Sequence, residues 1–174
     1  MKTVNILWLL CLVAQGLWAQ QGDWKQVQFD NGVRLKFPQE PTKDSNAQYT
    51  FFRLRTADST ATLGAVAVDL SATGVSAEQY EEMAQEDEFW QQVEQGILAQ
   101  MPDAKLLKSE RRQIVGKPAL YVEIERDNAN KKDKDLMYQW TFMKGTMNHS
   151  VVFVSLQGKG NLKLRDEFFA TVAP

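Results

Sequence analysis

Cysteine and histidine are almost missing from this chain: Cys11 and His149 are the only residues of their kinds among 174. That scarcity excludes zinc bound by Cys and His ligands, a disulfide framework and a redox thiol pair. It also leaves His149 as the one residue through which serine or cysteine catalysis by a His-dependent mechanism could run. An excess of charge of either sign is absent too. Lys and Arg number 20 against 22 Asp and Glu, for a formal net charge of −2. Such a near-neutral surface lacks the electrostatic footprint of a nucleic-acid binder. Phosphate-binding loops and dinucleotide fingerprints are not found either, since Gly158-Lys159-Gly160 has neither their spacing nor their preceding context. Beyond the N-terminus no apolar run reaches the roughly 20 residues that a membrane-spanning helix needs.

The N-terminus itself has the pattern of an export signal. Lys2 supplies a short basic region, Ile6–Ala14 an apolar one, and Leu17-Trp18-Ala19 a cleavage site before Gln20. Asn5, Gln15 and Gly16 interrupt it as a membrane span. Trp8-Leu9-Leu10 ahead of Cys11 lacks the small residues of a lipoprotein cleavage box. The expectation is a signal peptide over 1–19 and one globular domain over 20–174, periplasmic or secreted. Cys11 departs with the leader, so the domain must be stable through packing alone. Loss of Lys2 leaves 19 basic against 22 acidic residues.

Periodicity gives the rest of the architecture. Trp24–Phe29 and Val33–Phe37 flank Asp30-Asn31-Gly32, and Asn-Gly tolerates the positive φ angles of a tight hairpin turn. Pro38 and Pro41 end the second run, and Gln39–Asn46 reads as a polar connection. A second hairpin joins Ala47–Thr56 to Thr62–Leu70. Leu63, Ala65 and Ala67 oppose Val66, Val68 and Leu70 in its second strand, and Val151–Leu156 is apolar on both faces in the same way. Strands of that kind belong in the middle of a sheet covered on both sides. Ser76 to Met101 is the main helix, opened by a Ser76/Gln79 capping box, with Glu86-Asp87-Glu88 a point where it could divide. Lys105–Gln113 is a charged strand suited to an edge, and Gly116-Lys117-Pro118 a turn. Three strands follow as a meander, Ala119–Arg126, Leu136–Met143 and Ser150–Gln157, and a helix over Asn161–Val172 closes the chain. The order ββββ-α-ββββ-α predicts an α+β fold, one antiparallel sheet with helices on its faces.

The chain resembles the PsbP-like family, which includes photosystem II extrinsic proteins and periplasmic DcrB-like proteins. The carrying stretches are Asn31-Gly32-Val33-Arg34-Leu35-Lys36-Phe37-Pro38, Ile114-Val115-Gly116-Lys117-Pro118-Ala119, and the C-terminal helix with Phe168-Phe169. In family members a Ser-Phe pair frequently follows the paired aromatics, whereas this chain continues Ala170-Thr171-Val172. The resemblance implies an α/β/α sandwich and an accessory or binding role. Photosynthetic members help retain manganese and calcium at their partner complex, but no residue here matches a metal site by motif.

Candidate sites are few. His149 falls in a polar stretch, Lys144–His149, and reads as a loop residue. Asp127, Asn128, Asn130, Asp133 and Asp135 miss the register, central Gly and closing Glu of a calcium loop, and Lys131, Lys132 and Lys134 would repel a cation; a solvated hairpin loop is expected there. Glu123 and Glu125 share one face of a strand, about 7 Å apart by strand geometry, and could divide acid and base roles. Alternating acids on a strand are more simply its wet face. The acids Glu81–Glu88 read as the exposed face of a helix, and Tyr138, Trp140 and Phe142 as core. Asn148-His149-Ser150 matches a glycosylation acceptor, relevant only in a eukaryotic secretory route. The sequence therefore assigns no catalytic, cofactor-binding or metal-ligating residue. The reading it favours is a noncatalytic binding or assembly protein, its partner another envelope or extracellular protein or a small ligand, not nucleic acid. A small acid-dependent hydrolase and a carrier of apolar ligands are the alternatives.

Overall fold

A computed structural model describes residues 24–29, 32–128 and 133–174. The proposed leader over 1–19 lies outside the described residues, as do Asp30 and Asn31 of the first turn and Asn130, Lys131 and Lys132. The strands are β1 (Lys25–Gln28), β2 (Arg34–Phe37), β3 (Thr42–Ser45), β4 (Tyr49–Arg55), β5 (Ala61–Asp69), β6 (Lys105–Ile114), β7 (Lys117–Asp127), β8 (Lys134–Lys144) and β9 (Met147–Ser155). The helices are α1 (Ala77–Met83), α2 (Asp87–Ala99) and α3 (Leu162–Ala170). β3 to β9 form one antiparallel sheet in the order β3-β4-β5-β9-β8-β7-β6, while β1 and β2 make a separate ribbon.

The two strands that are apolar on both faces, β5 and β9, are neighbours at the third and fourth places of that sheet. Alternation divides their side chains between two cores. On one face Phe52, Leu63, Val151, Phe153 and Phe142 are buried against the ribbon residues Leu35 and Phe37 and against Phe168 of α3. On the other face Leu120, Val122, Ile124, Met137 and Val154 receive Trp90 of α2 and Ala84 at the end of α1. Apolar burial at about 25 cal/mol per Å² is the dominant favourable term, so both layers contribute to stability. The expected α+β architecture, with helices on both faces of an antiparallel sheet, is the one observed.

Three details differ from the sequence expectation. Gln39–Asn46 contains a short exposed edge strand, β3, which its polar composition concealed. The first hairpin is not part of the main sheet but lies across it. The C-terminal segment fixes it there: Arg34 and Ala173 exchange backbone hydrogen bonds of 2.8 Å each way, and the Thr171 hydroxyl accepts from the Lys36 amide at 3.0 Å. The turn between β6 and β7 is Val115-Gly116, both at positive φ (47° and 74°), so Lys117 and Pro118 already belong to β7. A β-branched residue is rare in that conformation.

The main helix is divided. The Ser76 hydroxyl accepts from the Gln79 backbone amide and the Gln79 side-chain Oε1 accepts from the Ser76 backbone amide, completing the capping box of α1. Beyond α1, side chains from α2 and β6 satisfy the carbonyls at the break. The Trp90 indole donates to the Ala84 carbonyl at 2.8 Å, and the Arg111 guanidinium donates to the Ala84 and Glu86 carbonyls at 3.3 Å each. Asp87 and Glu88 occupy the first turn of α2, where carboxylates suit the positive end of the helix dipole, and Arg111 pairs with Asp87 at 2.6 Å.

Candidate functional site

His149 is not a loop residue. It lies in β9, opposite Ala67 of β5 and Phe142 of β8, with no exposure to solvent. Its ring stacks on Phe142 (centroids 4.9 Å apart, planes within 11°) and meets Phe29 edge-on at 5.6 Å. Neither ring nitrogen has a hydrogen-bond partner. Burial, reinforced by the Lys144 ammonium, lowers its pKa to about 4; the nearby Met147 backbone opposes the shift without making a well-formed hydrogen bond to the ring. A neutral imidazole walled in by aromatic rings can neither reach a substrate nor receive a metal from solvent. The neighbouring glycosylation match, Asn148, is likewise a half-buried residue within β9.

The acidic hairpin between β7 and β8 is only partly a solvated loop. Asp127 and Lys134 are strand residues that form an ion pair across it. Asp135 is buried in β8, where its carboxylate accepts from the Gln157 amide at 2.9 Å and lies 3.9 Å from Arg126. Its role is to hold the turn that follows β9. With Arg55, Asp58 and Lys159 it lines a cleft of about 350 Å³ at one end of the sheet. Among the described residues no group of three or more His, Cys, Asp or Glu is arranged to hold a metal ion.

Glu123 lies in a different setting. Tyr121, Glu123 and Glu125 share the β7 face that looks toward α3, and pairing places Tyr121 between Glu110 of β6 and Trp140 of β8. Four elements thereby converge on one groove of about 330 Å³. It is lined by Lys108 and Arg112 from β6, Tyr121 and Glu123 from β7, Trp140 from β8, and Arg165, Asp166 and Phe169 from α3. The Arg112 guanidinium lies 5.0 Å from the Tyr121 ring and 5.7 Å from the Trp140 ring. Arg165 lies 4.5 Å over Tyr138, and Phe169 meets Trp140 edge-on at 6.5 Å. Cation–π contacts of this kind contribute about 0.5–1 kcal/mol at exposed sites, enough to hold a guanidinium in place.

The groove's carboxylates are engaged by its own donors. The Tyr121 hydroxyl donates to Glu123 at 2.9 Å, and burial together with that carboxylate raises the phenol well above its ordinary pKa. Arg165 holds Asp166 at 2.7 Å. Lys108 at 2.7 Å and Arg112 hold Glu110 alongside, and their hydrogen bonds lower its pKa. Glu125, the proposed partner of Glu123, faces Lys105 across the β6–β7 ladder and does not line the groove. What remains free to meet another molecule is aromatic surface and guanidinium N–H, not a pair of opposed carboxyl groups.

Trp140 meets the expectation of a core aromatic only in part. Tyr138 and Phe142 are buried, whereas Trp140 is partly buried, packed against the same core and lining the groove. The paired aromatics of the last helix divide similarly: Phe168 packs on Phe37 at 5.0 Å in the core, while Phe169 faces the groove. Arg112, Lys108 and Arg165 were not distinguishable beforehand from ordinary surface charge. Their grouping depends on the register of β6 and β7 and on where α3 returns, and no local motif carries that information.

No protein-family model matches the chain, and no curated protein matches it. Among solved structures it is similar to the cyanobacterial PsbP of Synechocystis, with 13% identity over 88% of this chain and 94% of that one, at a TM-score of 0.49. It is similar to PA94, a Pseudomonas aeruginosa protein of unknown function, at 14% identity, 78% and 84% coverage, and a TM-score of 0.43. A third is LpqN of Mycobacterium tuberculosis, described as involved in cell envelope biogenesis, at 12% identity, 87% and 79% coverage, and a TM-score of 0.41. Likenesses this distant identify neither a site nor a ligand. Among the described residues no helix is long and apolar enough to cross a membrane.

Proposed function

We propose that this protein is a noncatalytic binding or assembly module of the PsbP-like kind, exported by its N-terminal leader, which engages another envelope or extracellular protein through the groove between β6, β7, β8 and α3. The observation that carries the reading is the groove's construction. Four separate elements bring two guanidinium groups, the partly exposed rings of Trp140 and Phe169 and the buried ring of Tyr121 into one recess, and internal hydrogen bonds tie its carboxylates. Aromatic rings and arginines are the side chains enriched where proteins bind one another, because each offers large contact area with a polar handle. A hydrolytic site needs one carboxyl group to deliver a proton while a second attacks or activates water. Glu123 and Glu125 are not placed on opposite sides of a cleft to do that. An apolar-ligand carrier needs an apolar pocket, and this groove is charged.

Affinity capture tests the reading. Immobilised wild-type domain, Trp140→Ala and Arg112→Glu are exposed to the exported fraction of producing cells, and retained species are quantified by mass spectrometry. A discrete species held by wild type and lost from both variants is expected. Identical recoveries from all three, with each variant folded by circular dichroism, would remove the groove as the binding site. Turnover of glycan or ester substrates lost in Glu123→Gln would instead establish the hydrolase.

A further inference from the structure

The main sheet ends in two unequal edges. β3 has four residues, all exposed, whereas β6 has ten and runs along the rim of the groove. A long edge presents a row of unpaired backbone N–H and C=O groups, which natural proteins protect with charge and with bulges. β6 has both devices, arranged unevenly. Its bulge lies between Leu106 and Lys108, leaving Leu107 46% exposed, so regular geometry is confined to Lys108–Ile114. Its charges are Lys105, Lys108, Arg111 and Arg112 against the single carboxylate of Glu110. The whole chain has net charge −2, so this concentration of cations on one edge strand is a local feature.

An excess of cations on an edge is selective. Like charges set opposite each other across a ladder are destabilising, so β6 is poorly suited to pair with β6 of a second copy. A strand of opposite charge meets no such barrier. We propose that Lys108–Ile114 of β6 is a docking edge, to which an extended acidic segment of the partner protein adds as an eighth strand. Its carboxylates lie against Lys108 and Arg112, which share the groove face and exchange Glu110 for the incoming acids, whereas Arg111 points to the other face and stays with Asp87. One apolar side chain on the groove side enters over Tyr121 and Trp140, because Tyr121 stands directly across the ladder from Glu110. Main-chain hydrogen bonds supply affinity in this mode, and alternate side chains supply specificity. The inference rests on the groove reading and specifies the chemical class of its partner: an acidic peptide strand.

The test uses peptides of about ten residues, a common strand length. In one, Glu, Val and Glu fall on one face of the strand with Thr at the positions between; in a second Lys replaces Glu; and a third is the Glu/Val peptide methylated on alternate backbone nitrogens. Binding to the full domain is followed by amide hydrogen exchange and by titration calorimetry. The acidic peptide is expected to bind, to slow exchange within Lys108–Ile114, and to be weakened by moderate salt. The Lys/Val peptide is expected not to bind. Backbone methylation, and separately Lys108→Glu with Arg112→Glu, is expected to weaken binding by about tenfold or more, since the loss of even one or two net hydrogen bonds has that effect. A single-stranded DNA oligonucleotide, which has the charge but no peptide backbone, is expected to leave those amides exchanging.

No binding of the acidic peptide, equal binding of its methylated form, protection at β3 instead of β6, or protection by DNA would each overturn the proposal. The two readings fail separately. Loss of partner capture in Trp140→Ala with β6 amides unprotected sinks edge addition and leaves the groove. Protected β6 amides with partner capture unaffected by Trp140→Ala do the reverse.

Discussion

Replacing His149 by leucine should make the protein less sensitive to acid, and the size of the effect follows from the geometry. The imidazole is fully buried between Phe142 and Phe29, its nitrogens are unpartnered, and its pKa is lowered to about 4. An unfolded chain takes up that proton near the ordinary histidine value of about 6.5. Between those two values the unfolded state binds more protons than the folded one, so stability is retained above about pH 6.5 and lost as pH falls toward 4. Linkage gives a loss of about 2 kcal/mol at this one residue between pH 7.5 and pH 5.0, rising to roughly 3 kcal/mol well below pH 4.

Leucine is of similar volume, is apolar and has no proton to gain. Urea unfolding of wild type and His149→Leu at pH 7.5 and pH 5.0 isolates the effect, because other titrating groups cancel in the double difference. Wild type should lose about 2 kcal/mol more than the variant between the two conditions. At pH 7.5 the variant should match or exceed wild type, since a buried polar group without a partner costs about 1–3 kcal/mol. Equal acid sensitivity in the two proteins would refute the reasoning. So would a ring proton resonance of His149 that titrates near pH 6.5 in the folded state.

Other perturbations test the scaffold and the groove. Arg111→Ala removes donors from the Ala84 and Glu86 carbonyls, the pair with Asp87 and the stack 5.4 Å from Trp90; a loss of about 1–2 kcal/mol by denaturant unfolding is expected, with Arg111→Lys recovering only part. Gly160→Ala should cost about 1–3 kcal/mol in the same assay, because a Cβ there would lie 2.9 Å from the Ser155 Cα and the backbone must shift to admit it. Ser76→Ala breaks the capping box of α1 and should lower stability by about 1 kcal/mol. Arg112→Ala should change stability by less than about 1 kcal/mol, its contacts being exposed cation–π and ion pairs, yet abolish partner capture.

The scaffold was legible where periodicity is local and burial is strong. Alternation in β5 and β9 predicted central strands, and the Ser76/Gln79 box predicted the start of α1, because each depends on a few adjacent residues. β3 is hidden by its composition: Thr42-Lys43-Asp44-Ser45 pairs with β4 with every side chain exposed, adding only surface contacts such as Tyr49 to Asp44 and Lys43 over Phe52. His149 is hidden for the converse reason. A polar side chain after Gly145 looks like loop, and only the ladder shows it directly opposite Phe142. The groove was illegible as a unit. Arg112, Tyr121, Trp140 and Arg165 are distant in sequence, and the pairing Tyr121↔Trp140 together with the return of α3 brings them into one recess. Long-range register of that kind leaves no trace in a local pattern, so the chain disclosed its architecture far better than its site.

Photo-crosslinking in producing cells tests the groove most directly. A benzoylphenylalanine at position 169, inside the groove, is compared with one at position 91, on the opposite face of the sheet beside Trp90. The groove reading predicts a covalent adduct of one discrete mass from position 169, none from position 91, and loss of the first when Arg112→Glu is added. An adduct from position 91 with none from position 169 would contradict it.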